Sequence, residues 1–282
     1  MAVEDGAWIM KGVEWDNPEC IHTIEELEKY IGEVGFLPLF ANGVEGFSVE
    51  EWTDPYCWWC DDEMASSIAA RTSVFGQDVL AGSLDDIVSK VDPWRWREII
   101  ARRGKIAYGK FFDKKAGFIS LEWLPYFVNA RRDGYDFDSA WEDGRVSRRE
   151  KVIMDLLTDK DEDGDIIFTD ENRILSTNLK KMAGFGKGGL KNYQGITTGL
   201  MMQLYLVIVD FRRRVSKKGE EYGMPVSIML PPEAIWGYET VTSAYDEKPE
   251  ESWQRIFDHV KWMYEEAADR DIEKLIGKRV SG

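Results

Sequence analysis

The chain has 282 residues, 44% of them hydrophobic, which is enough to fill one large or two modest domains and excludes disorder from end to end. Its net charge of −16 argues against a surface that meets nucleic acid everywhere, because phosphates repel an acidic body. Its longest apolar runs, such as Leu204 to Val209, fall far short of the roughly 20 residues of a membrane span, so no membrane partner is expected.

The first six residues carry Glu4 and Asp5 where a signal peptide would carry basic residues, and no apolar run of signal-peptide length follows them. Three cysteines (Cys20, Cys57 and Cys60) are few and odd in number, which fits a reducing compartment. A cytoplasmic protein is therefore expected. Thr23 and Glu26 read as a capping box for a short helix to Ile31, with Ile24, Leu27, Tyr30 and Ile31 on one face and Gly32 and Gly35 as punctuation. Pro38 makes the apolar run Gly35 to Phe40 an edge strand or an extended turn. Residues 46 to 96 are rich in Trp and acid, and Ser66 to Val91 reads as an insertion. Lys105 to Phe112 suggests a buried strand. Ser120 is the expected cap of a helix to Arg132, bent or shortened by Pro125 and ended by Asp133-Gly134.

The second half reads more plainly. Ser147 caps a helix with Val152, Ile153, Leu156 and Leu157 as its stripe. After an acidic loop, Ser176 is expected to cap a second helix with Leu179 and Met182 inward, ending at Gly184. Thr197 or Thr198 is expected to cap a third helix holding Leu200, Met201 and Leu204. Val207 to Val215, a turn at Ser216 to Gly219, and Met224 to Leu230 then form a hairpin closed by Pro231-Pro232. Three helices followed by a hairpin with a basic tip is the winged-helix order. Beyond Pro249, Trp253, Ile256, Phe257 and Val260 mark an amphipathic helix expected to pack on the body. The expected fold class is α+β, mostly helical with short β-hairpins. Its expected parts are an aromatic-rich winged-helix-like domain over 1–140, a winged-helix domain with an acidic insertion over 141–235, and a helical extension over 236–282.

Charge is distributed unevenly. Between Lys180 and Gly219, nine basic residues (Lys180, Lys181, Lys187, Lys191, Arg212, Arg213, Arg214, Lys217 and Lys218) stand against Asp210 alone, a local +8 that leaves −24 for the rest. A cationic face on an acidic body makes duplex DNA the first candidate partner and those nine residues the candidate contacts. A solvated charged surface is the plain alternative.

Other patterns bear on chemistry. Asp159-Lys-Asp161-Glu-Asp163-Gly164-Asp165-Ile166 follows a calcium loop, with Asp170 where a bidentate Glu belongs. Asp159, Asp161, Asp163, Asp165 and Asp170 are thus candidate ligands for Ca²⁺ or Mg²⁺; an acidic surface loop is the alternative. Cys57-Trp-Trp-Cys60, with Cys20 and His22, invites a zinc reading, but the second pair has unusual spacing, and buried Cys beside buried Trp is plainer. Gly184-Phe-Gly-Lys-Gly-Gly189 lacks the order of a nucleotide loop, while Lys187 suits a backbone phosphate. With two histidines in the chain, no His-based catalytic arrangement is expected, and no cofactor is required.

Several segments resemble the AlkZ-related proteins, bacterial relatives of the AlkZ-type winged-helix DNA glycosylases. They are Gly35-Phe-Leu-Pro-Leu-Phe40, Asp92-Pro-Trp-Arg-Trp-Arg97, Tyr108-Gly-Lys-Phe-Phe112, Gly117-Phe-Ile-Ser120, Glu122-Trp123, Pro125-Tyr-Phe127, Ala183-Gly-Phe-Gly-Lys187, Trp236-Gly-Tyr238 and Val241-Thr-Ser243. The resemblance implies tandem winged helices that cradle duplex DNA, and a Gln-x-Gln or Gln-x-Asp pair that positions a water at the sugar carbon. The matching positions here are Pro38 and Phe40, whose side chains cannot polarise water. Gln203 lies elsewhere by position, and Glu45 or Glu50 are the substitutes to consider. Three readings follow: a repair-related DNA-binding protein without the glycosylase pair, a protein-interaction module on the same fold, or a glycosylase with relocated groups.

Overall fold

The computed structural model describes residues 2–4, 7–59, 84–162 and 166–277; the Ser66 to Ser83 part of the expected insertion, Cys60, Asp163 and Asp165 lie outside them. The fold is mixed, with helices and small antiparallel sheets. A short ribbon, β1 (Ala2–Glu4) with β2 (Ala7–Ile9), precedes α1 (Ile24–Val34). Thr23 caps α1 by accepting from the Glu26 N–H at 3.2 Å. The helix outruns the expected end at Ile31, because burying Val34 outweighs the roughly 1 kcal/mol cost of Gly32 in a helix. Gly35 stops it at φ 81°, where a Cβ would also collide with the Trp123 indole.

Two stretches of chain then follow one plan. In the first, α1 leads to β3 (Phe36–Pro38), α2 (Leu84–Val91), α3 (Pro93–Arg103) and a hairpin of β4 (Ile106–Phe112) and β5 (Lys115–Ser120). The edge strand β3 pairs with the last strand, giving the order β3-β5-β4. In the second, α6 (Arg148–Met154) follows α4 (Leu124–Arg132) and α5 (Phe137–Glu142). The chain continues through the ribbon β6 (Asp159–Lys160) and β7 (Ile166–Ile167), α7 (Ser176–Met182), α8 (Tyr193–Met202) and the hairpin β8 (Val207–Val215) and β9 (Glu221–Leu230). Leu175 bridges to Ile228, so again the segment before the second helix pairs with the last strand. Four C-terminal helices close the molecule: α9 (Glu233–Trp236), α10 (Tyr238–Val241), α11 (Pro249–Met263) and α12 (Asp269–Ile276). As expected, α11 packs on the body, against α4, through Trp253, Ile256 and Val260. One continuous core joins residues from Ile21 to Ile276.

Four local expectations need correction. Ser120 ends β5 instead of capping a helix; α4 starts at Leu124, and Pro125 sits in its first turn, where a missing N–H costs nothing and causes no bend. Ser176 is already helical, because the Leu175 backbone is engaged by Ile228 and so marks the boundary. Met182 faces outward at 58% exposure, since the buried face of α7 runs from Leu179 to Ala183. α8 begins at Tyr193, and Thr197 lies buried inside it, its hydroxyl donating to the Tyr193 carbonyl at 3.1 Å.

Candidate nucleic-acid interface

The hairpin β8–β9 changes character halfway along. At its base Val207 to Asp210 and Ile228 to Leu230 are buried. Beyond Phe211, Arg212 to Val215 and Glu221 to Met224 are exposed on both faces. A strand that buries neither face is held by its ladder and not by packing. Gly219 at φ 83° closes the turn, and the Ser216 hydroxyl accepts from the Lys218 and Glu220 N–H groups.

All nine sequence-predicted contacts are exposed. Arg213, Lys217 and Lys218 on the hairpin, with Lys180, Lys181, Lys187 and Lys191 around α7, form no ion pair among the described residues. Arg214 lies over the Tyr222 ring at 5.0 Å and Arg212 pairs with Asp210. α7 packs against β9 while α3 packs against β8, so basic groups flank the hairpin on both sides.

The second flank was not legible in the sequence. Arg95 and Arg102 of α3, Arg173 before α7, and Arg212 and Arg213 of β8 line one open groove of about 570 Å³, together with Glu98, Asp210 and Glu221. Arg102 donates to Asp210 at 2.8 Å and to the Phe211 carbonyl at 3.2 Å, across more than a hundred residues of chain. Burial alone would raise the Asp210 carboxyl, but hydrogen bonds from Arg102, Arg212 and the Phe211 N–H hold it below its ordinary range. The lone acid of the basic segment is thereby neutralised. Beneath the groove Arg97 lies 3.7 Å from the Trp94 ring and 4.4 Å from the Phe211 ring, joining α3 to the hairpin base.

The Pro38 and Phe40 positions are occupied by packing. Pro38 sits opposite Gly117 in the sheet, and Phe40 lies against Trp58 and Trp94 at centroid distances of 5.7 and 6.3 Å. Glu50 is buried and clamps loops, accepting from the Lys11 and Ala41 N–H groups at 3.0 Å each, while Glu45 is exposed. Gln203, at the end of α8, donates to Gly199.

Of the acidic loop's candidate ligands, Asp159, Asp161 and Asp170 lie among the described residues. The Asp159 carboxylate accepts from Thr169 and Asn172, and Asp170 is fully exposed beside Arg173. Asp161 is exposed, and among the described residues no three His, Cys, Asp or Glu side chains gather about one point. Cys20 and Cys57 are buried, and burial, aided by Asp54, pushes the Cys20 thiol up to about 12, which disfavours a thiolate ligand. His22 bonds the Trp15 carbonyl at 2.7 Å.

The family model described as AlkZ related matches residues 21–81 and 87–277, nearly the whole chain. The chain belongs to the AlkZ-related family. No curated protein and no solved structure matches it. The family match spans both hairpins, so the cationic hairpin belongs to the AlkZ-related region and is not an appendage to it. No helix among the described residues is long and apolar enough to cross a membrane.

Proposed function

We propose that this AlkZ-related chain binds duplex DNA in a repair-related role, on two winged-helix units, without the water-positioning pair of the glycosylases. The winged-helix reading is supported by the shared plan: a helix, two further helices and a hairpin, with the chain before the second helix paired to the last strand, as the strand β3 in the first unit and as the single bridge of Leu175 in the second. The DNA reading is carried by one observation above all, the projecting hairpin whose Arg213, Lys217 and Lys218 have no acidic partner among the described residues. The five-arginine groove at its base extends the same face. Phosphates are its natural ligands, since Arg and Lys at exposed, flexible positions position DNA without reading bases. α8 presents Gln194, Gly195 and Gly199 among its non-apolar residues, few groups able to read base edges, so sequence preference is low.

Pro38 and Phe40 support the absence of the pair-based chemistry, because a saturated pyrrolidine ring and a packed phenyl hold no water.

The test is duplex binding across salt concentrations with undamaged, alkylated and abasic DNA. Each phosphate contact contributes about −0.9 to the slope of log K against log salt, so three to five contacts give a slope of about −3 to −4.5. Absence of binding at low salt overturns the DNA reading. Base release from alkylated DNA overturns the reading of Pro38 and Phe40.

A further inference from the structure

A cavity of about 440 Å³ opens between α5, α6, β7 and the α9–α10 turn, apart from the hairpin groove. Small-molecule sites span roughly 300–1,000 Å³. Its lining is chiefly apolar, with four rings, Phe137, Phe168, Tyr205 and Tyr238, beside Met154 and Pro231. The Arg132 guanidinium covers one face of Tyr205 at 4.5 Å, and Phe137 meets that ring edge-on.

Its charges do not balance. Asp136, Asp138, Asp155 and Glu233 line it. Arg132 answers Glu233 at 2.5 Å, Lys151 answers Asp155, and Lys160 answers Asp138 at 3.4 Å. Asp136 is left without a cation among the described residues. Its Oδ2 accepts the Tyr238 hydroxyl at 2.9 Å, while its Oδ1 is closed to solvent and accepts no hydrogen bond. With Oδ1 closed, the carboxylate meets the cavity through Oδ2, which keeps acceptor capacity beside the Tyr238 hydroxyl. The cavity is large enough to admit a donor there.

We propose that this cavity binds a small organic ammonium ion whose N–H donates to the Asp136 carboxylate at Oδ2, beside the Tyr238 hydroxyl, and whose apolar body rests on Phe137, Phe168 and Tyr238. The carboxylate, without a counter-ion, selects positive charge, and the rings reward an apolar body and attract a cation. This site is independent of DNA binding.

Calorimetry with three ligands of similar shape tests it on the unaltered protein: benzylammonium, benzyl alcohol and benzoate. The expected order is benzylammonium tightest, with the other two weaker by about tenfold or more. Asp136→Asn keeps the shape and an acceptor for Tyr238 but removes the charge; it should bring benzylammonium down to the level of benzyl alcohol, with unchanged circular dichroism. No benzylammonium binding up to about 10 mM, equal binding of the alcohol, or unchanged affinity in D136N overturns the proposal. The three-ligand series decides it even if D136N does not fold.

Discussion

The two hairpins of this protein share a plan and differ in what surrounds them. β4–β5 turns in two residues, Asp113 and Lys114, both at positive φ (46° and 65°), the tight connection that matches strand twist. Except near the turn, at Lys110, Lys115 and Ala116, its strands are buried on both faces, packed by α8, α12 and β8. β8–β9 has the same pairing, but its distal half outruns every neighbour and carries only exposed side chains. The arginines show the same contrast. Arg131 donates to the carbonyls of Met202, Phe111 and Ile276, and Arg132 to Glu233 and Leu204, so both are consumed in joining α4 to the rest. Arg213 is consumed by nothing among the described residues. The number of cations in a segment therefore says little about binding until the tertiary structure shows which of them the fold already uses.

That contrast can be broken experimentally, and the largest effect lies in the body. Arg132→Met leaves Glu233, whose side chain is 16% exposed, without its cation; the expected loss is about 3–5 kcal/mol in urea unfolding. DNA affinity of the folded fraction should not change. The triple reversal of Arg213, Lys217 and Lys218 to Glu has the opposite profile. Fluorescence anisotropy should show DNA affinity lower by about a hundredfold or more and a shallower salt slope, with stability within about 0.5 kcal/mol per site. If stability falls instead, the distal hairpin is structural and the comparison fails.

Arg102→Ala sharpens the boundary between the two behaviours, because this side chain is 57% exposed yet engaged with Asp210. A carboxyl held low in the fold stabilises above its unfolded pKa of about 3.9, and that contribution disappears as pH falls through the folded value. Wild-type stability should therefore drop on acidification below about pH 4, and the drop should be shallower in Arg102→Ala. At neutral pH the variant should bind DNA several-fold, about three to ten times, more weakly. The smallest effect is expected on the first hairpin. Lys110→Glu with Lys114→Glu, both exposed, should leave DNA affinity within about twofold. A loss as large as that of the triple reversal would show that both hairpins touch DNA.

Much of the second half was legible because local chemistry decides it. Ser147 and Glu150 form the reciprocal capping box at the start of α6, and Ile153 and Leu157 are buried where the stripe put them. The hairpin β8–β9 follows from strand-forming residues around a Ser-Lys-Lys-Gly turn. The first half was harder to read. β5 went unrecognised since strands covered on both faces show no alternation. α3 was obscured because its buried side carries Arg97 and Glu98 beside Trp96 and Ile100, so hydropathy loses its helical period. With α3 unseen, Arg95 and Arg102 could not be placed beside the hairpin.

By itself, the sequence determined the α+β class, the presence of α6, α7, α8, α11 and the hairpin β8–β9, the cationic segment and the family, since each rests on residues near one another in the chain or on a pattern of identities. The tertiary structure decided which cations remain available, that α3 completes the groove, that Phe40 is packed between two tryptophans, and that Asp136 faces a cavity without a counter-ion. The physical reason is common to all four. Pairing, shielding from water and enclosure depend on distances between segments a hundred or more residues apart in the chain, and sequence spacing carries no information about those distances.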